Sequence, residues 1–416
     1  MAGVTAAPSR AATAEDAILG VQPAAVYEPA TLPEAAETVG AATREGRRLA
    51  FVGGETELEV GAAPEGLDAV VRTARLQKVL DYAPSDQVVT AEAGVTLSAL
   101  QEAVSKNGQR LALDPPLPAR ATLGGIVAAN TFGPRRARFG SVRDLIIGIT
   151  IVRADGVVAR GGGKVVKNVA GFDLPKLMVG SLGTLGLIAD VTFRLHPLPE
   201  ESVTLLVPDR KASEVWELVG KMRQAQLEPV SVVAIWRSGG LFETAIRFEG
   251  FAAGVAEQTA RLKALVAAEL HCACDELPAV AASSFWERHD QLRVGSPVSA
   301  KVAVLPGQLE AIASDVVPAL AGGLEKPGFA WYATLGLGFA SGHAGDPGKA
   351  ASALSSARAT VERLGGSLVL RAAPPPVRER VPVWGSAPPA LALMKSVKQR
   401  LDPGRCLAPG RFVGGI

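Results

Sequence analysis

Apolar and polar positions along this chain change their period repeatedly, and each change marks an element. Residues 34–44 place small and apolar side chains at helical spacing. Thr31-Leu-Pro-Glu34 supplies a capping box with proline near the helix start, and Gly46 stops the helix. Leu49–Val52 is a short apolar run, read as a strand, that delivers the chain to Gly53-Gly54. Residues 69–71 and 88–93 also read as strands; Thr96 then caps a helix over 97–106, which stops at Asn107-Gly108. From 145 to 195 the pattern is strand-rich, with runs at 145–152, 157–160 and 186–195.

After His196-Pro-Leu-Pro199 the order becomes β-α-β-β-α: strand 201–208, helix 212–226, strands 230–236 and 244–248, and helix 253–269, completed by a strand near 301–305. A similar set follows, with a strand over 331–339, a helix over 349–364 and a strand over 367–370, before a tail helix at 390–401. The whole predicts an α+β chain whose later part is a sheet with helices on one face. Residues 1–20 carry no such pattern and predict a disordered tail. No strand leads into a Gly-x-Gly-x-x-Gly helix start, so the doubly wound dinucleotide fold is not indicated.

Composition narrows the function classes. Of 416 residues, 48% are hydrophobic and only 20% charged, which predicts a large buried core. A formal net charge of +2 gives no reason to expect nucleic acid or an anionic membrane as partner. The mean hydropathy is slightly positive, which fits either a surface covered in a complex or an alanine-rich composition. The longest apolar runs are strand-sized, so no transmembrane span is expected. Cys272, Cys274 and Cys406 are too few for a disulfide framework, and a reducing, cytoplasmic setting is the expectation.

Three separated small-residue segments carry the candidate chemistry. Gly53, Gly54, Glu55, Thr56 and Glu57 follow a strand and offer successive backbone N–H donors; two glycines let such a loop curl around an anion, or simply make a tight turn. Residues 121–130 contain Thr122, able to cap a helix whose first turn is Leu123-Gly124-Gly125. Its N-terminus would present open N–H groups, and the competing reading is close helix packing through the two glycines. A third bend runs from Gly163 to Asp173, with Lys164 and Lys167 as either phosphate partners or solvated cations, and leads into Gly180–Ile188.

These segments occur in one order with Arg138-Phe-Gly140 and with Asp402-Pro and Pro409-Gly-Arg411 near the end. That combination resembles the vanillyl-alcohol-oxidase-type, or PCMH-type, FAD-binding flavoproteins, and within them the FAD-binding subunits of bacterial glycolate oxidases. The resemblance is strong over residues 20–200 and moderate over the last 25 or so. It implies a PCMH-type FAD-binding domain of two α/β subdomains over 21–200, an α+β cap over 201–385, and a segment over 386–416 that returns to the FAD domain. It further implies that Gly53, Gly54, Glu55, Thr56 and Glu57 hold the pyrophosphate. Pro116, Thr122, Leu123, Gly124, Gly125, Asn130, Gly140, Gly186 and Ile188 would line flavin and ribityl-adenine, with Arg411 joining from the C-terminus. FAD would be non-covalent, since the 53–57 loop holds neither histidine nor cysteine. The implied partners are a catalytic FAD subunit and an iron–sulfur subunit, through which any peripheral membrane association would run.

The departures bear on chemistry. Related D-2-hydroxy-acid dehydrogenases carry a His-x-Gly-Asp-Gly-Asn-x-His strand and a Glu-His-Gly motif that supply metal ligands and a base. Here the nearest match is Gly342-His343-Ala-Gly-Asp346, and Ser367-Leu-Val-Leu-Arg371 stands where the second motif should be. The four histidines, His196, His271, His289 and His343, show no metal-ligand spacing, so no metal is expected. His343, Arg293 and Lys301 are left as candidates for a base or a carboxylate contact, with Arg288 beside them; solvated roles compete for each. His271-Cys-Ala-Cys274 is too crowded for a usual tetrahedral site. The leading reading is an FAD subunit whose hydroxy-acid chemistry belongs to a partner. The alternatives are a self-sufficient FAD-dependent 2-hydroxy-acid dehydrogenase and a structural subunit that has lost the cofactor.

Overall fold

The computed structural model describes residues 5–164, 172–237 and 239–416. Two compact units emerge. The first takes the chain through Gly133, then Gly140–Leu198 and Ser386–Ile416; the second takes Pro134–Phe139 and Pro199–Gly385.

In the first unit β1 (Ser9–Ala11), β2 (Ala25–Tyr27), β3 (Leu49–Val52) and β4 (Ala69–Arg72) form a sheet in the order β1-β2-β4-β3. The last three are parallel and β1 is antiparallel on the edge. Parallel neighbours need a crossover, and the helix Leu32–Arg44 supplies it between β2 and β3. The Thr31 hydroxyl accepts the Glu34 N–H at 3.3 Å to start that helix, and Ala35 and Val39 are buried with Leu49, Ala69 and Val71. Seven further strands follow: β5 (Val79–Ala83), β6 (Val88–Glu92), β7 (Gln109–Arg110), β8 (Ile146–Val152), β9 (Val158–Gly162), β10 (Leu187–Arg194) and β11 (His196–Pro197). β5-β6-β10-β8-β9 make an antiparallel sheet, while β7 and β11 pair separately. Ile149 and Ile151 of β8 are buried with Leu123, Ile126 and Val127 of the helix Leu123–Ala129.

The expectation of a disordered tail over 1–20 fails for the described residues 5–20. β1 pairs with β2, and Asp16, with its side chain 1% exposed, is held by Arg10 and Arg72. An ion cluster and the buried side chain of Ile18 hold this segment without any apolar period, which is why hydropathy missed it.

The C-terminal segment returns to β3. Leu407 lies parallel to Leu49, whose N–H donates to the Cys406 carbonyl and whose carbonyl accepts from Ala408 N–H, both at 2.6 Å. The buried Lys398 ammonium, on the helix Leu391–Leu401, donates to Asp402 Oδ2 (2.6 Å), Leu407 O (2.7 Å) and Thr184 O (2.8 Å).

The second unit is built on one antiparallel sheet. Its strands are β12 (Glu201–Arg210), β13 (Ser231–Trp236), β14 (Phe242–Gly250), β15 (Asp275–Glu276), β16 (Val298–Ala303), β17 (Glu325–Tyr332), β18 (Leu337–His343) and β19 (Ser367–Ala372). They run in the order β15-β12-β14-β13-β17-β18-β16-β19. The helices Ala212–Gln224, Ala252–Leu270 and Pro347–Arg363 share a core with Phe329 and Trp331 on one face. Two expectations change here. Residues 331–339 are not one strand but the two sides of a hairpin, because Gly336 takes φ +68° and the Leu335 and Gly336 N–H groups turn back onto Tyr332 O. Helices also do not keep to one face. Tyr332 points opposite to Trp331 and hydrogen-bonds His289 at 2.9 Å, on the helix Ala279–Gln291. That helix lacks a side-chain N-cap, so its start carries no sequence signal.

Candidate functional site

β3 ends at Val52 and releases the chain into the 53–57 loop, where Glu55 takes φ +62°. Both glycines are required by close approach. A Cβ on Gly53 would stand 2.2 Å from Thr122 Oγ1, and one on Gly54 would stand 1.7 Å from Arg120 O. No hydrogen bond to a described residue occupies the N–H groups of Gly53, Gly54, Glu55 or Thr56. The loop therefore presents a run of open amide donors, the property an anion cradle needs. The Arg72 guanidinium forms an ion pair with Glu55, and Arg411 Nη2 donates to Leu58 O (2.8 Å) and Val60 O (2.7 Å), fixing where the loop returns.

The helix Leu123–Ala129 behaves differently from the sequence expectation. Its first N–H groups are not open: Leu123 donates to Val95 O (2.9 Å), Gly124 to Ala93 O (2.8 Å) and Gly125 to Thr122 Oγ1 (3.3 Å). The backbone of the neighbouring segment has consumed them, so this seven-residue helix holds no anion through its amides. The two glycines instead divide the work. A Cβ on Gly124 would lie 2.7 Å from Ala93 Cβ, so Gly124 is a packing glycine. A Cβ on Gly125 would meet only Thr122 Oγ1, at 3.0 Å, and otherwise open space.

That space is a cleft open to solvent. Around it stand Gly53, Gly54, Glu55, Thr56 and Glu57 on one side and Gly124 and Gly125 on another. Gly186 and Ile188 at the start of β10, and Arg411 with Ala408 from the C-terminal segment, complete it. The five other sequence candidates, Pro116, Thr122, Leu123, Asn130 and Gly140, do not line the cleft. Thr122 is the helix N-cap, Leu123 is core, Pro116 is buried, and Gly140 takes φ +85° where a Cβ would stand 2.7 Å from Asp144 Cβ. Asn130 closes the helix at φ +50°, and among the described residues its buried Oδ1 has no hydrogen-bond partner. Lys164 pairs with Asp81 at 2.9 Å and is not a cleft cation, while Lys167 lies outside the described residues.

The sequence reading missed Ile18, Phe51 and Thr73, which also line the cleft. Phe51 and Thr73 adjoin strand ends, and only the sheet order brings them together. Ile18 gave no signal because its segment has no periodicity.

An FAD molecule fits this wall by two features of the structure: the run of open amides at residues 53–56, suited to a diphosphate, and the absence of a side chain at Gly125, suited to a flat group. Among the described residues no cluster of histidine, cysteine, aspartate or glutamate could hold a metal ion.

The remaining candidates lie in the second unit. His343 is exposed at the end of β18. Arg293 is buried, with its guanidinium 4.8 Å from the centre of the Phe339 ring, and Lys301 is half-buried on β16, opposite Phe339 in register. Arg371 also reaches that ring, at 5.7 Å. Arg288 pairs with Glu243 and is a structural cation. His289, buried between Tyr332 and Asp290 (Nδ1 to Oδ1, 3.1 Å), is held toward its neutral form by burial. Burial pushes the Cys274 thiol up to about 12, so it is a packing residue and not a nucleophile.

Residues 23–162 match the family described as FAD binding domain. The chain is 35% identical to glycolate oxidase subunit GlcE of Escherichia coli over 47% of its length and 55% of the relative's. It is 32% identical to a D-2-hydroxyglutarate dehydrogenase of Xanthomonas citri over 44% of its length and 39% of the relative's. It is also 32% identical to glycolate oxidase subunit GlcD of Bacillus subtilis, over 43% and 38%. These matches thus span about half or less of each relative. Among solved structures, an alkyldihydroxyacetonephosphate synthase superposes with a TM-score of 0.72 at 17% identity, covering 95% of this chain and 78% of that one. A p-cresol methylhydroxylase gives 0.71 at 16%, covering 94% and 89%. This likeness shows the PCMH-type α+β fold. Residues 23–162 thus form an FAD-binding domain, and the cofactor is FAD.

Proposed function

We propose that this chain is the FAD-binding subunit of a complex that oxidises a 2-hydroxy acid, of the glycolate-oxidase kind, working beside a catalytic flavin subunit and an iron–sulfur subunit. The observation that carries the reading is the glycine-walled cleft with its row of open amides. The relatives, two glycolate oxidase subunits and a D-2-hydroxyglutarate dehydrogenase, suggest the reaction class. When bound, FAD supplies acceptance of two electrons and their onward transfer.

The chain's own residues bind and orient. The N–H groups of residues 53–56 donate to the diphosphate, Arg411 fixes the return of that loop through the Leu58 and Val60 carbonyls, and Gly125 keeps the wall flat. Thr122 and Leu123 act from behind, as cap and core. Among the described residues no histidine lines the cleft, which supports assigning the acid–base chemistry to a partner. Partner chains should co-purify with this subunit from its source, and the isolated chain should show a flavin spectrum that glycolate and D-lactate leave unbleached. Rapid bleaching by either acid without partners would reject this version.

A second reading, direct oxidation by this chain alone, draws on one observation. Arg293 and Arg371 share the Phe339 ring with Lys301 opposite it in register, a cationic cluster in which Arg293 also stands 3.8 Å from the Asp290 carboxylate. Under that reading His343→Ala or Arg293→Met lowers substrate-dependent flavin reduction; under the first, neither changes the isolated protein.

A further inference from the structure

We infer that residues 9–20 form a strap that walls the cofactor cleft, with Asp16 as the residue that positions it; this rests on the FAD reading of the cleft. Three observations converge on it. Ile18 is 1% exposed and lines the cleft, in one apolar cluster with Ala50, Val52 and Val70 and with Leu58 of the loop beyond residue 57. The segment is shaped to deliver it. Ile18 and Val21 exchange backbone hydrogen bonds at 3.0 Å around Leu19 (φ +51°) and Gly20 (φ +84°), and Ala12 N–H donates to Ala24 O at 3.1 Å.

Asp16 then pins the strap. Its carboxylate accepts from Arg10 Nη1 and Nη2 (2.8 and 2.9 Å), from Arg72 Nη2 (2.9 Å) and from the Thr13 N–H (2.9 Å). The Arg10 guanidinium holds this carboxyl well below the usual carboxylate range, so it is ionised at any working pH.

The third observation links strap to cofactor loop. Arg72 gives one arm to Asp16 and the other to Glu55, inside the amide-presenting loop. Two arginines and two carboxylates balance in charge, so the network can sit half out of water without a net buried charge. A strap that only covered a sheet edge would need neither the Glu55 connection nor Ile18 in the cleft wall. Closing the strap therefore sets the left-handed turn at Glu55 and completes the apolar side of the cleft together.

The test compares wild type with Asp16→Asn, which keeps volume and removes the charge, and with Ile18→Ala, which leaves the ion network intact. FAD affinity is read by quenching of flavin fluorescence on titration into apoprotein. Strap closure is read by trypsin cleavage after Arg10, with and without FAD, and folding by thermal melting of the apoprotein. Bound FAD should protect the Arg10–Ala11 bond in wild type. Asp16→Asn should lose that protection and weaken FAD binding by about tenfold, and Ile18→Ala should weaken it by several-fold with the apoprotein still folded. Cleavage at the same rate with and without FAD in wild type would overturn the strap, as would unchanged FAD affinity in Ile18→Ala, which decides the matter if Asp16→Asn does not fold. A wild type that takes up no FAD at all would overturn the cofactor reading, and the strap with it.

Discussion

Gly124→Ala and Gly125→Leu, made separately, distinguish a packing glycine from a cofactor-space glycine one residue apart. At Gly124 the new Cβ would stand 2.7 Å from Ala93 Cβ, well inside ordinary contact, and both sides are backbone-anchored, since Gly124 N–H is bonded to Ala93 O at 2.8 Å. Relief requires the helix Leu123–Ala129 to move off β6, an overpacking cost of about 1–3 kcal/mol. At Gly125 a Cβ meets only Thr122 Oγ1, at 3.0 Å. Disturbing that cap costs up to about 1 kcal/mol, and removing glycine from a helix returns about 0.5–1 kcal/mol. Apoprotein stability should thus stay near wild type in Gly125→Leu while the side chain enters the cleft. FAD affinity should fall at least about a hundredfold, or about 2.8 kcal/mol. Urea unfolding of apoprotein measures the first quantity and fluorescence titration with FAD the second. Wild-type FAD affinity in Gly125→Leu would refute the cleft as cofactor site. So would a Gly124→Ala protein of unchanged stability that had lost FAD, since it would reverse the two roles.

Three further outcomes test other parts of the structure. Burial, aided by Arg194 and Arg110, lowers His196 to about 4 from its usual 6.5. The unfolded chain takes up a proton between those values and the folded one does not, so stability is full above pH 6.5 and falls as the pH drops toward 4; His196→Gln should flatten that part of the stability–pH curve. Lys398→Met should cost about 3–5 kcal/mol in urea unfolding, because it leaves the buried Asp402 carboxyl, among the described residues, with the Cys406 and Leu407 N–H groups alone; the Lys398→Met/Asp402→Asn double variant should cost less than the sum of its single changes. Iodoacetamide at pH 8 should label the half-buried Cys272 well before Cys274 in native protein, and both after denaturation, since the Cys274 thiol titrates only at about 12.

Apolar periodicity and turn residues were enough to read the strand Leu49–Val52, the helix Leu97–Ser105 and the β-α-β-β-α order after residue 200. Such elements are set by contacts within a few residues. The same local information suggested that the glycine-rich segments approach something closely. Ambiguity arose wherever two distant backbones compete for one group. Nothing local says that Ala93 and Val95 take the amides of Gly124 and Leu123, so a helix N-terminus that looked open for an anion is closed. Nothing local separates Gly124 from Gly125 either, since one faces β6 and the other the cleft only after the sheet has formed.

The α+β class, the presence of glycine segments where backbone approaches something closely, and the lack of histidine spacing for a metal were all local properties of the sequence. The tertiary structure decided which amides stay open, which glycine leaves room, and that the first twenty residues are ordered as far as they are described. The reason is physical. Period and propensity act along the chain, whereas the Asp16–Arg72–Glu55 network joins residues up to 56 positions apart and exists only once β1 lies beside β2 and β4 beside β3.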